Sequence, residues 1–231
     1  MARYNRKDHL HQRAKKDGLR SRAAYKLEEV QRQFKLLSKG QWVLDLGCWP
    51  GGWLEVAAGL VGPSGRVVGV DRAQVDPPIP LANVSSLVGD LEDADIARRL
   101  LAELAGGQAG DDVAAATGAE GALARSESAG DEEASGRLAD VVLSDAAPKL
   151  TGVRETDRAN EERLLEAIEA LLPELLAPGG SLLIKILEGP EAQAVDKRIR
   201  ERFAKAKTVK LESTRKGSTE RYLVARGWKG A

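Results

Sequence analysis

Cysteine occurs once in this chain, at Cys48, and histidine only twice, at His9 and His11. One thiol excludes an internal disulfide and a cysteine-based metal site, and two imidazoles are too few to suggest another, so metal-free chemistry is expected. Long apolar runs are missing too. None approaches the roughly 20 residues that span a bilayer, and the charged N-terminus lacks the apolar core of a signal peptide. A soluble, cytoplasmic protein with no membrane partner is expected. Net charge is absent as well, with 35 Lys and Arg against 35 Asp and Glu.

That balance conceals an uneven distribution. Residues 1–40 carry 12 basic and 4 acidic groups, residues 191–231 carry 12 and 5, and the stretch between them 11 and 26. Basic ends that meet on one side of a doubly wound fold would form a patch for a polyanion, which points to nucleic acid. Solvated helix faces are the plainer reading of the same charges. At 231 residues the chain can bury one core, organised as a basic N-terminal segment over 1–20 and one domain over 21–231. Residues 106–137 interrupt the domain with 7 acidic and 2 basic groups among Gly, Ala and Ser. Almost no large apolar side chains occur there, so a disordered insertion is expected. An acidic arm that screens the basic face or binds a partner is the alternative.

What is present is sharpest between Trp42 and Trp53, where the run Trp42-Val43-Leu44-Asp45-Leu46 breaks into Gly47-Cys48-Trp49-Pro50-Gly51-Gly52 and then into a helical pattern. Glycines let a backbone approach a ligand closely, and the following helix offers it unpaired N–H groups and a positive dipole end. A second apolar run, Arg66 to Val70, ends in Asp71, placed for a carboxylate to accept from both hydroxyls of a ribose. A dinucleotide fingerprint needs glycine at the second position of G-x-G-x-x-G for a pyrophosphate, and here that position is Trp49. The spacing Asp45-x-Gly47-x-x-x-Gly51-Gly52 is similar instead to the first motif of S-adenosylmethionine-dependent methyltransferases. A ligand-free turn and a nicotinamide cofactor are the competing readings.

Further along, strand and helix patterns alternate, which predicts a mostly parallel sheet. Helical spacing covers Ser21 to Leu37, with Ser21 as N-cap, and Trp53 to Leu60. Strands are expected at Val67–Val70, Val84–Val88, Leu138–Leu143 and Ser181–Leu187. Helices follow at about Asn160–Leu176, broken near Pro173, and at Ala192–Phe203. Late strands at Thr208–Leu211 and Tyr222–Ala225 would form an edge hairpin around Lys216-Gly217. Lys185 lies inside an apolar strand, where an ammonium is costly unless it reaches a polar site. Ligands in such sheets bind at the carboxyl ends of strands, where Asp145 also falls. Snorkelling from a strand edge is the other explanation for Lys185.

These residues together resemble the FtsJ/RrmJ family of ribose 2′-O-methyltransferases, in its bacterial large-subunit ribosomal RNA type. The likeness runs through Ala14 to Leu27, the loop ending Pro50-Gly51-Gly52-Trp53, Ser144-Asp145-x-Ala147-Pro148, Lys185, and Ser218-Thr219-Glu220-Arg221-Tyr222. It leaves out residues 106–137, which the usual bacterial enzyme lacks, and it departs at Cys48-Trp49, where the family more often carries small residues. The resemblance implies a Rossmann-like α/β fold, a doubly wound, mostly parallel seven-stranded sheet with a C-terminal antiparallel hairpin. It implies a catalytic tetrad of Lys26, Asp145, Lys185 and Glu220. It also implies S-adenosylmethionine as cofactor, held by Gly47, Gly51, Trp53, Asp71, Asp90 and Asp145. Asp90 would serve the adenine region, with a helix N-cap as its structural alternative, and Trp53 would equally suit core packing.

The chemistry implied is methylation of the 2′-oxygen of a uridine in 23S rRNA, in the 50S subunit, by a monomer. A ribose hydroxyl is a poor acid, so a base must take its proton, and a lysine does so only in its neutral form, which burial and a neighbouring cation favour. Lys185 is the candidate base, Lys26 the neighbouring cation, Asp145 the orienting group, and Glu220 a holder of lysine or ribose. With no aromatic-rich base-reading module, RNA would be recognised by shape. A tRNA ribose methyltransferase, a small-molecule methyltransferase and a non-catalytic ribosome-assembly factor are the alternatives.

Overall fold

In the computed structural model, which describes residues 9–106, 137–149, 151–186, 189–215 and 217–230, helices and strands alternate for most of the chain. The helices are α1 (His9–Lys16), α2 (Ala24–Phe34), α3 (Gly52–Val61), α4 (Ile96–Leu104), α5 (Arg154–Leu175) and α6 (Pro190–Glu201). The strands are β1 (Trp42–Leu46), β2 (Arg66–Asp71), β3 (Val84–Val88), β4 (Ala139–Ser144), β5 (Leu176–Ile186), β6 (Phe203–Val209) and β7 (Arg221–Trp228). All seven strands form one sheet in the order β3-β2-β1-β4-β5-β7-β6. The first five run parallel, and β7 pairs antiparallel with both β5 and β6. This is the expected doubly wound α/β fold with its antiparallel C-terminal pair.

Side chains alternate across a strand, and the sheet is covered on both faces. Leu44, Leu46 and Val142 pack with α4, α5 and α6 through Leu100, Leu172 and Val195. Val43, Val141 and Leu143 pack with α2 and α3 through Leu27, Val30 and Leu54. By the same alternation Asp45 falls on the α2–α3 face, two residues after Val43, at a position that is otherwise core.

The differences from the sequence expectations are local. Helix α2 begins at Ala24, because Ser21 to Ala23 are pressed against α3: a Cβ on Gly52 would collide with the Ser21 hydroxyl. Helix α5 starts earlier than Asn160, since the Asp157 carboxylate accepts from Thr151 N (2.6 Å), Thr151 Oγ1 (2.8 Å) and Gly152 N (3.2 Å) and stabilises its first turn. Pro173 does not break α5, lying in its last turn. The Pro178-Gly179-Gly180 segment forms an irregularity in β5, where pairing jumps from Ala139↔Leu176 to Val141↔Ser181. Strand β6 begins at Phe203, whose ring packs 5.0 Å from that of Trp228. Helix α1 forms within the N-terminal segment. Most of the acidic stretch 106–137, and Lys216 of the expected turn, lie outside the described residues.

The two basic ends do meet. Buried Glu29 of α2 accepts from Glu212 N (2.8 Å), Ser213 N (3.0 Å) and Ser213 Oγ (2.8 Å). Arg226 of β7 donates to the carbonyls of Phe34 and Lys35 at the C-terminal end of α2. These contacts fix the helix over β7. Lys26, one turn before Glu29 and on the same face, is thereby aimed at the carboxyl end of the sheet.

Candidate active site

Asp145 follows directly on β4 and stands at the centre of a connected group of charges. Its carboxylate accepts from Lys26 Nζ at 3.3 Å and from the Tyr222 hydroxyl at 2.6 Å, and it pairs with Lys185 Nζ at 3.2 Å. Lys185 also donates to the Asp145 backbone carbonyl. On the other side of Lys26, Glu220 Oε1 lies 2.7 Å from its ammonium and accepts from Tyr222 at 2.7 Å. Lys26, Asp145, Lys185 and Glu220, the tetrad that the resemblance implies, therefore meet in one place although they come from four distant points of the sequence.

Topology accounts for the meeting. Strands β4 and β5 are parallel neighbours, so Asp145 and Lys185 leave the same edge. The antiparallel register puts Tyr222 directly opposite Lys185, with their side chains on one face. Glu220 precedes Tyr222 by two residues. The end of β4 is braced by Ser144, whose hydroxyl donates to Leu46 O (2.8 Å) and accepts from Ala146 N (3.3 Å).

Burial alone would push the Asp145 carboxyl up. The charges of Lys185 and Lys26, with hydrogen bonds from Tyr222 and Lys185, outweigh it and hold the carboxyl below its ordinary value, so it is ionised. Tyr222 is driven far upward by burial, then by the charges of Asp145 and Glu220, and stays a neutral phenol.

A cavity of about 830 Å³ opens beside this group, and Asp145 is part of its wall. Gly47, Asp71 and Asp90 line it too, each at or just beyond the carboxyl end of β1, β2 or β3. Gly47, with φ of +84°, has Ala146 so close that a Cβ would come within 2.5 Å of the Ala146 side chain. That is a close approach only glycine permits. The Asp71 carboxylate is fixed by Trp49 N (3.0 Å) and Ala73 N (2.9 Å). Asp90 accepts from Glu92 N (3.2 Å) and pairs with Arg72 at 2.8 Å. The Arg72 hydrogen bond is the main reason the Asp90 carboxyl lies below its usual value. Arg163 of α5 and Glu92 form an ion pair across the cavity mouth.

Two of the expected binding residues stand apart from the larger cavity. Gly51 caps α3 and is turned toward Val75 and Ile79. Trp53 is buried, donates from Nε1 to Ala23 O at 2.7 Å and packs 6.1 Å from the Tyr222 ring, as its core-packing alternative anticipated. It borders only a smaller crevice, shared with Ser21, Asp45, Gly47, Trp49 and Asp145. Of the two bulky loop residues, Cys48 is buried above Gly69, its thiol pushed well up by burial, and acts as packing. Trp49 is 57% exposed.

Three residues escaped the sequence reading. Tyr222 was visible inside the Ser218–Tyr222 motif, two positions from Glu220, but its role appears only once β7 pairs with β5. Asp45 is 1% exposed, and neither of its oxygens has a partner. Burial, then the charges of Asp145 and Asp71, raise its carboxyl well above the ordinary value, so it is held protonated. An acid inside the apolar run Trp42–Leu46 was its signal. Arg20 pairs with Glu55 at 2.8 Å and donates to the carbonyls of Pro77 and Pro78, fastening the N-terminal segment to the loop after β2. Nothing in its local sequence announced that. No metal-ligating group occurs among the described residues.

Comparisons with known proteins identify the family and the fold. The model for the FtsJ-like methyltransferase family matches residues 19–228. A ribosomal RNA large subunit methyltransferase E of Methanothermobacter thermautotrophicus is 37% identical, over 97% of this chain and 92% of its own length. Its counterpart from Desulfatibacillum aliphaticivorans is also 37% identical, over 96% and 90%. Among solved structures, a Plasmodium falciparum protein described as a ribosomal RNA methyltransferase superposes with a TM-score of 0.68 at 25% identity, covering 92% of this chain and all of that one. The fibrillarin of Aeropyrum pernix, solved with natively bound S-adenosyl-L-methionine, shares the fold: TM-score 0.53, 14% identity, 89% of this chain and 74% of its own.

Proposed function

The chain belongs to the FtsJ-like methyltransferase family, and we propose that it transfers a methyl group to the ribose 2′-hydroxyl of a uridine in 23S rRNA within the large ribosomal subunit. The observation that carries the reading is the joining of Lys26, Lys185 and Tyr222 to Asp145, with Glu220 bonded to Lys26 and Tyr222, at the rim of a cavity that Asp71 and Asp90 also line. The relatives named for large-subunit ribosomal RNA supply the substrate class.

The cavity's residues fit S-adenosylmethionine. Gly47 leaves room that a side chain would fill, Asp71 presents a carboxylate fixed by two backbone N–H groups, and Asp90 lies beyond it. Four carboxylates line the cavity; Asp90 and Glu92 are paired with Arg72 and Arg163, while Asp71 offers its negative charge to a cationic ligand and Asp145 links the cavity to the lysines. When bound there, S-adenosylmethionine supplies an electrophilic methyl on a sulfonium.

The chain's own residues do the rest. Asp145 and its backbone carbonyl fix the Lys185 amine from two directions, leaving its remaining valence for the substrate. Lys185 would accept the proton of the 2′-hydroxyl as that oxygen takes the methyl group that S-adenosylmethionine would supply, its amine having first given up the proton that pairs it with Asp145. The ammonium so formed rests 3.2 Å from the ionised Asp145, which stabilises it. Lys26, held between Asp145 and Glu220, keeps a positive charge beside the oxygen as its own charge develops. The basic N-terminal segment and the basic C-terminal part meet where α2 packs on β7, and they grip phosphates, so binding weakens steeply with salt. No helix among the described residues is long and apolar enough to cross a membrane, and the protein works in the cytoplasm as a monomer.

Labelled methyl transfer from S-adenosylmethionine to large subunits, free 23S rRNA and tRNA, with ribose-methylation mapping, tests this reading. A 2′-O-methyluridine in large-subunit RNA is expected. Label in tRNA alone would replace the ribosomal substrate, and no label despite cofactor binding would overturn the catalytic role.

A further inference from the structure

Trp49 is the only exposed aromatic residue among those described: the other three tryptophans are packed or partly covered. Trp53 and Trp228 are each 3% exposed, and Trp42 lies under the Arg137 guanidinium at 4.5 Å. The Trp49 backbone is not loose. Its N–H is held by Asp71 at 3.0 Å, and the loop closes immediately after it with Gly51 N donating to Cys48 O at 2.7 Å. A rigid loop therefore presents a large flat ring to solvent.

The position of that ring is informative. Trp49 borders both the large cavity and the smaller crevice, as do Gly47 and Asp145. Ser21 and Ala23 form the opposite side of the crevice. The segment leading to them carries Arg13, Lys16, Arg20 and Arg22, and Arg20 ties it to Glu55 of α3, the helix that follows the loop, and to the carbonyls of Pro77 and Pro78. The indole thus stands where a basic strip meets the site that holds Asp145 and Lys185. A polyanion lying along the strip would bring its bases past this ring. Stacking on an aromatic face suits any unpaired base, because every base has a π-face.

We infer that Trp49 is a stacking platform for an unpaired nucleobase of the RNA, at or next to the nucleotide whose ribose is modified. The inference rests on the RNA substrate of the proposed function. It also assigns a purpose to the bulky residue that sets this loop apart from the small residues more usual in the family, and it qualifies the expectation that RNA is recognised by shape alone.

Tryptophan emission gives the test. Wild type, Trp49→Phe and Trp49→Ala would be titrated with a single-stranded oligouridylate, with polyphosphate and with S-adenosylhomocysteine. Oligouridylate is expected to quench wild-type emission and leave Trp49→Phe unquenched, while polyphosphate quenches neither. Affinity for oligouridylate should fall about tenfold in Trp49→Ala and recover most of the way in Trp49→Phe, with S-adenosylhomocysteine affinity equal in all three. In methyl transfer, KM for RNA should rise in Trp49→Ala with kcat little changed. Equal oligouridylate affinity in wild type and Trp49→Ala would overturn the inference. So would a loss confined to S-adenosylhomocysteine, which would make the indole a cover for the cofactor. Stacking is scored without turnover, so Trp49-dependent quenching in a protein that transfers no methyl group would uphold the platform and strike the proposed reaction alone.

Discussion

The two halves of the site are built differently. Over β1, β2 and β3, Gly47, Asp71 and Asp90 come from one continuous stretch of chain; two backbone N–H groups orient Asp71, and a backbone N–H with the nearby Arg72 orients Asp90. Over β4, β5 and β7, Lys26, Asp145, Lys185, Glu220 and Tyr222 come from distant segments and are oriented by one another. A half made by local turns tolerates the loss of one side chain as a loss of that side chain's contact. A half made of mutually bonded charges does not, because removing one member leaves others buried without a partner.

The sharpest way to separate the halves is Lys185→Ala. Loss of the proposed base should lower methyl transfer by about a hundredfold to ten-thousandfold, with S-adenosylhomocysteine affinity and RNA affinity both retained. Single-turnover assays and equilibrium binding check this together. Unchanged transfer would remove Lys185 from the mechanism. The next largest effect belongs to the opposite half. In Asp71→Ala the proposed acceptor for the ribose hydroxyls is gone, and S-adenosylhomocysteine affinity should fall about tenfold to a hundredfold, as for hydrogen bonds to a charged group. RNA affinity should fall far less, only through the Trp49 N–H that Asp71 holds, and calorimetry showing full cofactor affinity would exclude Asp71 from that contact.

The same contrast decides what could be read from the sequence. The glycine loop and Asp71 were legible because local backbone demands produce local patterns: an apolar strand, a turn only glycine permits, and an acid at the end of the next strand. The sheet followed from alternation. Half of the tetrad was legible, Lys185 as an ammonium in an apolar strand and Asp145 at the end of the strand before it; Lys26 and Glu220 were not, since nothing near them announces that they touch, and the resemblance supplied them. Tyr222 was missed because its role arises from the antiparallel register that sets it opposite Lys185. Arg20 and Glu29 were missed for a related reason. Their partners are the carbonyls of Pro77 and Pro78, and the backbone of residues 212–213, and carbonyls and N–H groups carry no sequence signature.

Asp45 lies between the halves, and its protonation can be read through stability. Its carboxyl is raised well above 3.8 by burial and by the charges of Asp145 and Asp71. From about pH 4 upward the unfolded chain therefore releases a proton that the folded protein keeps. Stability contributed by the neutral carboxyl is full below that point and declines as pH rises toward the folded value, by up to about 1.4 kcal/mol per pH unit. Asp45→Asn abolishes that slope. Urea denaturation of both proteins at several pH values should show the wild type losing stability relative to the variant as pH increases. Parallel curves would mean that Asp45 is ionised in the fold and that the α2–α3 face accommodates its charge.

Tyr222→Phe is the mildest of these changes and tests how tightly the second half is coupled. The phenol has one proton and two carboxylate acceptors, Asp145 at 2.6 Å and Glu220 at 2.7 Å, while Lys26 donates to it at 2.7 Å. Removing the hydroxyl leaves Lys26 in direct contact with both carboxylates, so neither negative charge is abandoned. The ring also keeps its packing on Trp53. The expected loss is one hydrogen-bonding group, about 1 kcal/mol of stability, and turnover lower by less than about tenfold, since the hydroxyl acts on Lys26 and Asp145 and not on the substrate. Thermal unfolding and kcat measured on the same preparation check both numbers. A fall in kcat approaching that of Lys185→Ala, at nearly unchanged stability, would move the Tyr222 hydroxyl from a bridge between charges into the reacting set.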